Sequence, residues 1–200
     1  EDPNVMFYIT VYNEPMVMPA QPENVDIEGI VRGIHRIKES DAAGPTAQIL
    51  ASGVAVPWAV EAQELLARDW GVSADVWSVT SWSELRRDGL AADQHAMLHP
   101  GETPRVPYIT QRLSTTTGPV VAVSDFMHAV PDQIRQFVPS DYATLGADDF
   151  GFSDTRAAAR RFFFIDSPSI VVRTLQSLAK RGEIDPSVVG VPMLEIHNAL

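Results

Sequence analysis

Val5-Met-Phe-Tyr-Ile-Thr-Val11 is a continuous apolar, β-branched and aromatic run, short enough for a buried strand and closed by Tyr12-Asn-Glu-Pro15. Pro15, Pro19 and Pro22 follow in quick succession. Proline fixes φ and removes a backbone donor, so 14–24 is expected to be an extended linker without ladder hydrogen bonds. The pattern divides the chain into 1–24, the end of a preceding domain plus a Pro-rich linker, then one domain over 25–188, and a tail over 189–200. Asp26 is placed to cap a short helix with Ile27, Ile30 and Val31 on one face. Periodicity alone would carry that helix on through Ile34-His-Arg-Ile-Lys-Glu39.

From Gln48 the pattern is cleaner. Ile49-Leu-Ala-Ser52 predicts a strand, Gly53 a turn, and Val56, Ala59, Val60, Gln63 and Leu66 one face of a helix ending near Gly71. Asp75-Val-Trp-Ser-Val79 predicts the next strand, followed by a helix from Ser83 with Glu84 in its first turn. Val120-Val-Ala-Val123 is another strand, and Val130, Ile134, Phe137 and Val138 predict an amphipathic helix after it. Tyr142-Ala-Thr-Leu145 closes the series. Two helices remain, 155–163 capped by Ser153 or Asp154, and one from Ser167 or Pro168 through Lys180, stopped by Gly182. Strands alternating with helices predict an α/β fold, a mostly parallel sheet covered on both faces.

Composition narrows the function. The 200 residues hold 26 acidic and 15 basic side chains, a net charge of -11, which disfavours sequence-independent attraction to nucleic acid or anionic lipid. The 45% hydrophobic content supports a soluble globular chain with a buried core. Without cysteine there is no disulfide, thiolate nucleophile or Cys-ligated metal; a reducing compartment is allowed, and the cytoplasm is the default expectation. No apolar run reaches the roughly 18 residues of a membrane span. The acidic start Glu1-Asp-Pro-Asn4 lacks the basic and apolar regions of a signal peptide, and no initiating Met precedes it, as expected of a processed chain or an excised domain.

In an open α/β sheet the binding crevice lies beyond the carboxyl ends of the strands, which selects Ser52, Thr80, Ser81, Ser124, Asp125 and His128. Hydroxyls and an imidazole there suit a polar ligand; the same residue types also cap helices and build turns. Asp125 and His128 make a candidate acid–base pair, but no Gly-x-Ser-x-Gly nucleophile elbow accompanies them. Gly53-Val-Ala-Val-Pro57 lacks the spaced glycines of a dinucleotide fingerprint. His95 and His99 have metal-binding spacing, weakened by Pro100 and by the lack of a carboxylate at a matching interval, so an exposed helix end is expected. Arg156, Arg160 and Arg161 at a helix start form a candidate anion site, against which stands a salt-bridging surface role. Trp58, Trp70, Trp77 and Trp82 cluster in the first half of the domain; Trp82 is a candidate interface anchor and Trp77 a core residue.

Three blocks, Glu102-Thr-Pro-Arg-Val-Pro-Tyr-Ile-Thr-Gln111, Gly146-Ala-Asp-Asp-Phe-Gly-Phe-Ser-Asp-Thr-Arg156 and Leu178-Ala-Lys-Arg-Gly-Glu-Ile-Asp185, occur in order. Together they resemble the C-terminal domain of the homodimeric bacterial type of the decarboxylating first component of the pyruvate dehydrogenase complex. The resemblance runs from about Val5 to about Val188. It implies a transketolase-like C-terminal domain, three-layer α/β/α, with a five-stranded mixed sheet and one antiparallel edge strand. The strands would be 34–39, 46–52, 75–79, 119–123 and 142–145. It further implies a parent enzyme that decarboxylates pyruvate and reductively acetylates a lipoyl group. Thiamine diphosphate and Mg²⁺ would be bound by domains absent here, since the Gly-Asp-Gly diphosphate motif has no counterpart in this chain. No catalytic, cofactor or metal residue is therefore expected in this span, and the chain alone would be inactive. The implied partners are a second copy of the parent and the dihydrolipoyl acyltransferase component. A non-catalytic protein-binding module, or a stand-alone α/β domain without cofactor, is the alternative. Phe152 stands where the family's Phe-Gly-Arg-Ser-Asp pattern has Arg, and the tail departs from the expected charged helix. For the loop 148–154 a structural role follows, with Gly151 permitting the turn, Phe150 or Phe152 packing on a neighbouring element of the sheet or on the partner subunit, and Ser153 or Asp154 capping the next helix.

Overall fold

The computed structural model describes residues 24–151 and 153–190, with the isolated positions 3, 4, 6, 11 and 15. The expected strand 5–11, most of the 14–24 linker, Phe152 and residues 191–200 lie outside the described residues.

Asp26 accepts the Gly29 amide at 2.8 Å and caps α1 (Ile27–Arg32), which ends on Gly33 at φ 103°. The chain then turns into β1 (Ile34–Lys38), so the ambiguous stretch is strand. In order follow β2 (Thr46–Ala51), α2 (Ala55–Trp70), β3 (Ser73–Val79), α3 (Trp82–Leu98), α4 (Tyr108–Leu113), β4 (Val120–Val123), α5 (Ala129–Asp132), β5 (Tyr142–Leu145), α6 (Arg156–Phe162) and α7 (Ser167–Lys180). The sheet order is β1-β3-β2-β4-β5, with β1 antiparallel to β3 and every other pair parallel.

The side-chain period of two divides each strand between two cores. Ala47, Ile49, Ala51, Ala74, Val76, Val121 and Val123 face α2 and α7 through Ala59, Leu66, Ile170 and Leu175. Leu50, Trp77, Val79, Val120 and Ala122 face the other way, onto Leu85, Ile109, Leu113 and Ile134. Central strands covered on both sides explain why β4, Val-Val-Ala-Val, reads as an unbroken apolar run. Burying one side chain such as Leu50 contributes roughly 1.5–3 kcal/mol. Gly118, at φ 84°, lets the turn before β4 pass against β2, since a Cβ there would lie 1.8 Å from the Thr46 carbonyl oxygen.

Three predicted details change. The amphipathic stretch after β4 is two short pieces, α5 and a 3-10 turn at Arg135–Phe137, which still bury Pro131, Ile134 and Phe137. Pro131 lies inside that stretch; it has no amide to donate and its ring crowds a preceding turn, so a continuous helix is broken there. The helix after β3 starts a residue before Ser83, because Ser81 supplies its cap. The cap of α6 is Thr155, whose hydroxyl accepts the Ala158 amide at 3.2 Å; Asp154 accepts the Thr155 amide at 2.6 Å and Ser153 caps nothing.

Candidate functional site

The sheet's strand order reverses between β2 and β4, so the crevice expected to bind a ligand lies beyond Ser52 and Ser124. Both serines are buried and occupied. Ser52 Oγ donates to Ser124 Oγ at 3.2 Å and accepts the Trp82 indole N–H at 3.0 Å, while Ser124 Oγ accepts the Phe126 amide at 3.1 Å. Trp82 opens α3 with only 6% of its surface exposed, so its indole closes the crevice. It packs in the core of this chain with Leu85 and Ile34. Ser81 Oγ accepts the Glu84 amide at 3.1 Å as the α3 cap, and Thr80 Oγ1 donates to the Ile30 carbonyl at 2.7 Å. These hydroxyls tie β2, β4, α1 and α3 together and do not fit a cradle for a diphosphate.

Further out on the same edge, His128 does not pair with Asp125. Its backbone amide donates to Asp148 Oδ1 at 2.9 Å and its Nδ1 lies 2.8 Å from Asp148 Oδ2. The amide hydrogen bond from His128, with the imidazole beside it, holds the Asp148 carboxyl below the usual carboxylate range. This clasp joins the β4–α5 and β5–α6 loops, which Ala147 N–H donating to the Phe126 carbonyl at 2.9 Å also joins. Gly146 sits in the same crossing, where a Cβ would meet the His128 backbone nitrogen at 2.6 Å. The pair follows the ends of two adjacent parallel strands, which is the sequence signal for it. Asp125 is half-buried beside it.

The three arginines of the cluster have different surroundings. Arg160 stacks over Trp58 at 4.6 Å, Arg161 pairs with Asp166, and Arg156 is exposed at the start of α6. In the loop leading to α6 the positive φ, 77°, belongs to Asp149 and not to Gly151, and Phe150 is 94% exposed, packing on no element among the described residues. His95 and His99 do share a helix end, with ring centroids 4.6 Å apart. The carboxylate that local spacing did not supply comes from Glu102, 3.6 Å from His95 Nε2 and 3.3 Å from His99 Nδ1. Among the described residues no group of three His, Asp or Glu side chains is arranged to hold a metal ion.

The stretch Glu102–Gln111 converges on Asp88, a residue that sequence reasoning passed over. Asp88 Oδ2 accepts the Tyr108 amide at 2.6 Å, capping α4, and Oδ1 pairs with Arg105 and lies 3.7 Å from Arg32. Arg32 in turn covers the buried Tyr108 ring at 3.8 Å. Asp88 is a single carboxylate in the charged stretch 86–88 inside α3, where a helix end near Gly89 was expected, and nothing local distinguishes it from its neighbours.

What the described residues share is a closed, internally bonded edge that builds structure. The family model described as the transketolase-like TK C-terminal domain matches residues 33–166. The chain belongs to this family. Over 186 residues, 92% of the chain, it is 58% identical to the pyruvate dehydrogenase E1 component of Mycobacterium tuberculosis. It is 56% identical over 190 residues, 94% of the chain, to that of Mycolicibacterium smegmatis, and 47% over 187 residues, 93% of the chain, to that of Escherichia coli K12. It spans 20%, 20% and 21% of these relatives, about a fifth of their length. The chain is thus homologous to the C-terminal part of pyruvate dehydrogenase E1 components. Two solved transketolases show the fold: that of Leishmania mexicana (TM-score 0.51, 19% identity, 79% of this chain and 20% of that one) and that of Campylobacter jejuni subsp. jejuni (0.51, 19%, 78% and 20%). The five-stranded mixed sheet with one antiparallel edge agrees with that fold. No helix among the described residues is long and apolar enough to cross a membrane.

Proposed function

We propose that this chain is the C-terminal scaffold and assembly domain of a pyruvate dehydrogenase E1 component, the acetyl-transferring enzyme of a multienzyme complex. The observation that carries this reading is 58% identity to such a component across 92% of the chain. The parent decarboxylates pyruvate and passes the acetyl group reductively to a lipoyl group, as a cytoplasmic homodimer working with the dihydrolipoyl acyltransferase. Thiamine diphosphate and Mg²⁺ supply the carbanion chemistry from domains outside this chain. What this chain's residues contribute is rigidity: the Ser52, Ser124 and Trp82 network and the His128–Asp148 clasp fix the loops at the carboxyl edge of the sheet.

The test has two arms. The longer polypeptide that contains this chain is assayed for pyruvate-dependent acetylation of a lipoyl domain with thiamine diphosphate and Mg²⁺, and is expected to turn over. Titration calorimetry of the 200-residue chain with the same cofactors is expected to give no binding heat. A tight cofactor site in the isolated chain, or a longer protein inert toward pyruvate, overturns the assignment.

A further inference from the structure

Among the described residues β5 is the last strand of the sheet and pairs only with β4. Its free side borders a groove of about 640 Å³ whose other wall is α7. Ala143, Ala179 and Val189 give the groove an apolar floor, and Arg173 and Lys180 stand along the helical wall. In a chain of net charge -11 these two cations are notable. Arg173 Nη1 bonds only the neutral Gln176, at 2.8 Å, and among the described residues neither Arg173 nor Lys180 meets a carboxylate. The acidic side chain at the groove, Asp141, is already held by Arg181 at 3.0 Å, and Glu183 takes the other side of that guanidinium at 2.5 Å.

Seven positions on a helix rise about 10.5 Å, so Arg173 and Lys180 are spaced for two separate anions and not for one. An extended chain advances about 3.3 Å per residue with alternate side chains on one face, so carboxylates two and four residues apart, roughly 6.6 and 13.2 Å, bracket that spacing within the reach of the long Arg and Lys side chains. A strand edge that no described residue pairs favours, beside the groove, an extended backbone over a helical one. We propose that the groove between β5 and α7 binds an extended acidic segment of a partner polypeptide, with two of its carboxylates reaching Arg173 and Lys180 and apolar residues between them resting on Ala143 and Val189. The inference is independent of the enzyme assignment, because it uses only this groove.

The test uses the 200-residue chain and a fluorescein-labelled octapeptide alternating valine and glutamate, beside the same peptide with lysine in place of glutamate. Anisotropy should rise saturably with the acidic peptide alone, and the binding should weaken as salt is raised. Arg173→Glu and Lys180→Glu should each weaken it at least tenfold, and the milder Arg173→Gln severalfold, with unchanged circular dichroism showing that each variant is folded. Equal binding of both peptides, no binding of the acidic one, or indifference to all three substitutions overturns the proposal. A Glu195→Lys chain binding the acidic peptide at least tenfold more tightly than the parent sequence would give the groove to the chain's own residues 191–200, and would overturn the partner reading.

Discussion

The indole N–H of Trp77 donates to Oε1 of Gln48 at 2.7 Å, between adjacent strands β3 and β2. Trp77 is 3% exposed and Gln48 4%, and the remaining amide of Gln48 reaches the Thr117 carbonyl at 3.3 Å. A buried donor that loses its partner keeps its full desolvation penalty. Gln48→Leu should therefore cost about 1–3 kcal/mol, read from the shift of the urea midpoint at constant slope. Trp77→Phe on that background should recover part of the loss by removing the orphaned N–H. Equal midpoints for Gln48→Leu and the parent chain would show that the bond contributes nothing.

Gly89 lies inside α3, where Ala usually stabilises by roughly 0.5–1 kcal/mol. Here the sign reverses. A Cβ at 89 would stand 2.3 Å from the Phe137 ring, which is itself 5% exposed and has no open side to move into. Gly89→Ala should destabilise by about 1–3 kcal/mol, and Phe137→Leu in the same chain should rescue part of that. Thermal or urea unfolding of the three variants checks it; a stabilised single variant contradicts the packing.

Ser81 and Ser83 are two residues apart, and only Ser81 caps α3. Ser81→Ala should cost about 1 kcal/mol, the usual size of a lost N-cap. Ser83→Ala should stay within about 0.5 kcal/mol of the parent chain, as for exposed positions generally. Equal losses at both positions would show that the cap is shared.

Asp148 carries a pH signature. Its carboxyl is held below the usual range in the folded chain by the His128 amide, so its ionised form binds the native state better than the unfolded one. The contribution is fully present above the ordinary carboxylate value of about 3.9 and is lost as pH falls through the lower folded value. The stability difference between the parent chain and Asp148→Ala should thus be constant near neutrality and shrink below about pH 4. Unfolding midpoints across that range measure it, and a difference that grows on acidification contradicts the clasp.

The carboxyl edge separates what local sequence determines from what the fold decides. Four strands, the two central helices and the family itself were legible along the chain, because burial of both sheet faces forces apolar runs of strand length and the blocks at 102–111, 146–156 and 178–185 are continuous segments; β1 came from the resemblance alone, since its half-exposed Ile-His-Arg-Ile-Lys pattern continues the helix before it. Helix starts were legible only to within a residue or two, since Ser81 and Ser83, or Ser153, Asp154 and Thr155, are chemically equivalent choices until the backbone direction selects one. The partners of charged and polar side chains were not legible. Asp125 is three residues from His128 in sequence, yet His128 pairs with Asp148, twenty residues away, because parallel strands β4 and β5 bring their following loops together. Trp82 had the look of an anchor for a partner, and the reversal of strand order beside it placed Ser52 where the indole needed an acceptor. Residue type and spacing thus determine which segments fold and into what, by burial and periodicity; which distant donor meets which acceptor is decided by strand order and register, which no local pattern encodes.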